Sequence, residues 1–131
     1  MTGRVLSGRY VLEERIGSGG MAEVYRARDQ LLARTVAVKI LHAAYKNDVE
    51  FIERFRREAK AAAGLSHPNI VSIFDVGLEG DDHFIVMEYV PGSTLKQKIQ
   101  SEAPIDIALA VRIAKDIAGG LAHAHANNIV H

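Results

Sequence analysis

The chain has 131 residues, with 16 basic and 16 acidic side chains, 48% hydrophobic residues and no cysteine. That length suits one compact mixed-structure unit, and the balanced charge gives no bulk attraction to nucleic acid or to an anionic membrane surface. Without cysteine there are no disulfides, no thiol chemistry and no zinc ribbons; the composition fits a reducing compartment, and a cytoplasmic location is expected. The opening MTGRVLSGRY has no apolar signal core, and Arg112, Lys115 and Asp116 break the longest apolar stretch. Neither a signal peptide nor a spanning helix is expected, and any membrane anchor would lie beyond this chain.

Residues 10–16, 22–28 and 34–41 are β-rich runs bounded by turn-forming or polar residues, and they predict three antiparallel strands. The period then changes over 48–64, where Asn47 followed by Glu50 suits a capped helix start and Gly64 its end. Two further strands are expected at 70–76 and 83–90, separated by the turn-rich GLEGDD. A short helix near 93–100 follows, and Pro104 is expected to open a long helix running to about Asn127. The fold class is therefore α+β, a five-stranded antiparallel sheet with one inserted helix, followed by two helices.

Three features carry chemistry. In IGSGGMAEV, residues 16–24, three glycines within four residues let backbone approach a ligand closely, as phosphate-cradling loops do. A flexible hairpin turn is the competing explanation. A strand follows instead of a helix, and no Gly-Lys-Ser/Thr is present, so neither a dinucleotide fingerprint nor a Walker loop fits. In TVAVKIL, strand alternation puts Ala37, Lys39 and Leu41 on one face, so a lysine emerges from an apolar strand. An unpaired buried ammonium is costly, which calls for anionic partners unless the lysine snorkels to water. On the 48–64 helix Phe51, Ile52, Phe55, Ala59 and Ala62 share one arc that also takes in Glu58. A Lys39–Glu58 ion pair would satisfy both residues; the alternative is a solvated glutamate at the margin of the stripe.

GSGGMAEV, VAVK, Glu58 in FRREA, HPNIV and IVMEYVPGSTL occur in the order of the protein-kinase N-terminal lobe and look most like the bacterial serine/threonine kinases. The resemblance implies an N-terminal extension at 1–9, a nucleotide-binding N-lobe at 10–91 and the start of a C-lobe at 92–131. It further implies that Ile16, Gly17, Ser18, Gly19 and Gly20 lie over the ATP phosphates, that Val24 and Ala37 sandwich adenine, and that Lys39 holds the α- and β-phosphates with Glu58 orienting it. Met87 falls at the gatekeeper position, while the Glu88 carbonyl and the Val90 amide would read the adenine edge. Ala22 stands where the family has its third loop glycine.

The run HAHANNIVH places three histidines within nine residues. On a helix, positions two apart point about 200° from each other, so His123 and His125 do not chelate one ion, and no metal site is expected. By the resemblance His131 is the first residue of the His-Arg-Asp catalytic loop, and the magnesium ligands would lie beyond it. The expectation is the ATP-binding part of a kinase that phosphorylates protein hydroxyls, catalytically incomplete alone; the alternative is a naturally short, non-catalytic kinase-like module. The long helix is apolar around most of its circumference, and homo-oligomers formed through that surface are also expected.

Overall fold

The computed structural model describes residues 2–130, so His131 and its expected role lie outside the described residues. The chain divides into two compact units: residues up to Gly64 together with Ser72–Tyr89, and Leu65–Val71 together with the chain from Val90 onward. The first unit is an antiparallel sheet in the order β1-β2-β3-β4-β6-β5, made of β1 (Val5–Leu6), β2 (Tyr10–Gly19), β3 (Ala22–Asp29), β4 (Arg34–Leu41), β5 (Ile73–Glu79) and β6 (Asp82–Glu88). The five expected strands are present, and a sixth is added because Val5 and Leu6 pair with Val11 and Tyr10. Leu6 is thereby fully buried, which gives this two-residue strand an apolar anchor.

Alternation along β4 separates two cores. Val36, Val38 and Ile40 join Leu6, Tyr10, Leu12, Tyr25, Ala27, Phe84 and Val86 on one face. On the other, Ala22, Leu41 and Ile85 pack with Phe55 and Ala59 of α1 (Val49–Ala63). Helix α1 starts one residue later than expected: Asp48, not Asn47, is the cap, because its carboxylate accepts the Glu50 and Phe51 amides. Gly64 ends the helix as expected.

The hairpins are held by specific chemistry. A two-residue turn joins β5 to β6, and Gly80 there takes φ +60°, a left-handed conformation that favours glycine. At the β3–β4 hairpin Asp29 is fully buried, yet it accepts both ends of the Arg9 guanidinium (2.8 and 2.9 Å), the Arg34 Nε (3.3 Å) and the amides of Leu31 and Leu32. Those hydrogen bonds, led by Arg9, hold its carboxyl well below the usual carboxylate range against the opposing effect of burial.

In the second unit α2 (Leu95–Glu102) opens with a capping box formed by Thr94 and Gln97. Helix α3 (Ile107–Ala126) begins not at Pro104 but after Asp106, whose carboxylate accepts the Leu109 amide and supplies the cap. The segment 65–71 lies against α3: Asn69 Nδ2 donates to the Asp116 carbonyl at 3.0 Å, and the Asn69 carbonyl sits 3.1 Å from where a side chain on Gly120 would begin.

Candidate nucleotide-binding site

The sheet register gathers five of the expected residues of the first unit on one face. Val24 of β3 lies opposite Gly17 on one side and opposite Lys39 on the other, and Lys39 is in turn opposite Ile85. Ala37 lies opposite Met87, two residues along. Since paired residues in an antiparallel ladder share a face, Gly17, Val24, Ala37, Lys39 and Met87 form one contiguous surface. Ala37 is buried, while Val24, Lys39 and Met87 are half-buried, so an ammonium emerges among small and apolar side chains.

The glycine segment is the end of β2 and its turn into β3, with Ser18 opposite Glu23 and Gly19 opposite Ala22. Ile16 is the extra residue of a bulge, because Arg15 faces Tyr25 while Gly17 already faces Val24; its side chain is exposed. None of Gly17, Gly19 and Gly20 has a positive φ, so the left-handed freedom of glycine is not what this loop uses. The absent side chains leave bare backbone instead: a Cβ on Gly19 or Gly20 would meet nothing within 4 Å. Ala22 is buried with Leu41 and Phe55, so its methyl fills the core beneath the loop and does not project into it.

Behind the loop, Glu23 accepts the Tyr25 hydroxyl at 2.8 Å and Arg15 Nη1 at 3.3 Å. The Tyr25 bond chiefly lowers the proton affinity of the Glu23 carboxyl. The Arg15 contact, like the Asp29 cluster, joins residues whose spacing gives no periodic signal.

One expectation is corrected. Lys39 and Glu58 do not form an ion pair: Glu58 is exposed, and among the described residues neither side chain reaches an opposite charge. The reason lies in the packing of α1. Phe55 and Ala59 are its fully buried contacts, and at about 100° per residue Glu58 falls about 60° from Phe55, beyond Phe51 at the edge of the stripe. The helix seats itself on its apolar centre and leaves the marginal carboxylate in water.

Glu88, the last residue of β6, is held to Ser72 by two hydrogen bonds. Val90 belongs to the second unit and is exposed. There His123 stacks on His67 with ring centroids 5.1 Å apart, while His125 is exposed, so the two histidines do have separate surroundings.

A sheet presenting a lysine beside a bare glycine turn, backed by one helix and followed by two more, defines the kinase class, and the protein kinase domain family matches residues 10–131. The chain belongs to that family. Among curated relatives it is 53% identical over 131 residues to the serine/threonine-protein kinase PrkC of Bacillus subtilis and 45% identical over 130 residues to the serine/threonine-protein kinase PknB of Mycobacterium leprae. It spans 20% and 21% of their lengths. A crystal structure of the Mycobacterium tuberculosis PknI kinase domain superposes with a TM-score of 0.84 at 31% identity, covering all of this chain and 53% of that one. No described helix is long and apolar enough to cross a membrane.

Proposed function

We propose that residues 10–91 form the nucleotide-holding face of an ATP-dependent serine/threonine protein kinase, which transfers the γ-phosphate of ATP to hydroxyl groups of protein substrates. The observation that carries this reading is the shared face of Gly17, Val24, Ala37, Lys39 and Met87. An ammonium with no carboxylate partner among the described residues, beside backbone free of side chains, fits a polyphosphate; the small apolar patch of Val24 and Ala37 fits the flat face of adenine.

Each residue has a role in this scheme. Backbone amides around Ser18, Gly19 and Gly20 cover the phosphates, with Ile16 at the entrance. Lys39 neutralises charge on the α- and β-phosphates, and the Glu88 carbonyl accepts from the adenine edge. Glu58 acts once α1 turns its carboxylate toward Lys39, since kinase transfer requires that pair. Magnesium bound with ATP would neutralise the charge that develops on the transferred group. No residue of this chain is assigned to hold it. A location in the cytoplasm and self-association through α3 belong to the same reading.

Thermal unfolding in the presence of ATP and magnesium tests it. A ligand bound only by the folded chain raises the midpoint as its concentration rises past its Kd. Lys39→Ala is expected to abolish that rise while leaving the ligand-free midpoint within about 2 °C, because the side chain is half-buried and unpaired. An ATP-dependent shift that survives in Lys39→Ala would overturn the assignment.

A further inference from the structure

Because the proposed adenine contact at Glu88 is a backbone carbonyl, the side chain there takes no direct part in it. The hydrogen bonds around Glu88 give it an indirect one. The β5–β6 register sets Ile73 opposite Met87, so the next opposed pair is Ser72 and Glu88. The Glu88 amide donates to the Ser72 carbonyl at 2.8 Å, which makes this a hydrogen-bonded pair, the kind in which two residues ordinarily exchange both of their N–H···O bonds. The return bond is not made to the Glu88 carbonyl. The Ser72 amide donates instead to Glu88 Oε1 at 3.1 Å.

We propose that Glu88 is a positioning residue whose carboxylate takes the place of its own backbone carbonyl in the ladder, so that this carbonyl stays free to accept a hydrogen bond from the exocyclic amino group of adenine. The inference rests on the nucleotide-site reading given above. On the other side Glu88 faces Val36 of β4, and the amide that points to Ser72 shows that its polar backbone groups turn away from β4. Ser72 is therefore the ladder donor that would otherwise engage the carbonyl and fix its direction. The carboxylate satisfies that donor with a charge-assisted bond, stronger than the carbonyl alternative, at a side chain that water also reaches.

The test compares two ligands that differ only in the adenine amino group, ADP and purine-riboside diphosphate, with Kd values read by ligand-observed NMR. The wild-type chain is expected to prefer ADP about fivefold, the size of one hydrogen bond to the base. Glu88→Ala lets the Ser72 amide return to the carbonyl and should reduce the preference to less than about twofold, whereas Glu88→Gln keeps an acceptor oxygen and should retain it. A purely structural role would weaken both ligands equally and leave the ratio unchanged. If Glu88→Ala keeps the full preference, or Glu88→Gln loses it, the positioning role is wrong while the nucleotide site stands. If the wild-type chain binds neither ligand, or both alike, the nucleotide-site reading fails and this inference with it.

Discussion

At the scale of single residues, the buried carboxylate of Asp29 is the most consequential group that sequence periodicity does not point to. It lies at the end of β3, where strand composition alone would place a solvated turn residue, and its partners are 20 and 5 positions away. Asp29→Ala leaves the Leu31 and Leu32 amides without their acceptor and two guanidinium groups without a counter-charge, and is expected to cost about 2–4 kcal/mol in chemical denaturation. The pH dependence follows from the direction of its shift. A carboxyl held low in the folded state stabilises the fold above its unfolded range, and that stabilisation is lost as pH falls. Denaturation midpoints of the wild type should decline below about pH 4, with a shallower decline in Asp29→Asn. Tyr10 has the opposite sign: burial, with donation to Asp75 at 2.8 Å, pushes its hydroxyl up to about 12. Its contribution is present at neutral pH and lost on strongly alkaline titration, and Tyr10→Phe should cost about 1 kcal/mol.

At the scale of elements, β5 and α1 show how packing overrides local preference. Gly77 interrupts a β-rich strand, and the ring of Phe84 occupies the space that a side chain there would need: a Cβ would lie 2.4 Å from it. Phe84 is in turn fully buried in the main core. Gly77→Ala must displace that ring and is expected to destabilise by about 1–3 kcal/mol in thermal unfolding, although alanine is the better strand former by entropy. Helix α1 gives a contrasting prediction. Glu58 is exposed and unpaired, so Glu58→Ala should change the ligand-free stability by no more than about 0.5 kcal/mol, whereas Phe55→Ala on the same helix should cost about 3–5 kcal/mol. A large stability loss in Glu58→Ala, measured by denaturation without nucleotide, would mean that the Lys39–Glu58 pair already forms in the resting chain.

At the scale of the whole molecule, the first unit buries two apolar clusters on its sheet, while the helices of the second leave apolar side chains in water. Ile107, Val111 and Ile117 of α3 are 81%, 62% and 49% exposed, and Leu95 and Ile99 of α2 add to the apolar surface. Surfaces of this kind seek a partner, and sedimentation at tens of micromolar is expected to show self-association that Ile107→Glu with Val111→Glu reduces; a single monomer species for the wild type would contradict this. Much of this architecture is legible in the residues themselves. The period of two puts Ala37, Lys39 and Leu41 on one face and the period of 3.6 gives α1 its buried stripe, because each depends only on near neighbours along the chain, whereas the kinase class comes from the resemblance of the motif order. Tertiary structure alone decided that Asp29 meets Arg9, that Ser72 takes the Glu88 carboxylate in place of its carbonyl, and that Glu58 stays in water. Those outcomes depend on how elements rotate and pack on one another, and the apolar centre of α1, not the charge at its margin, sets that rotation.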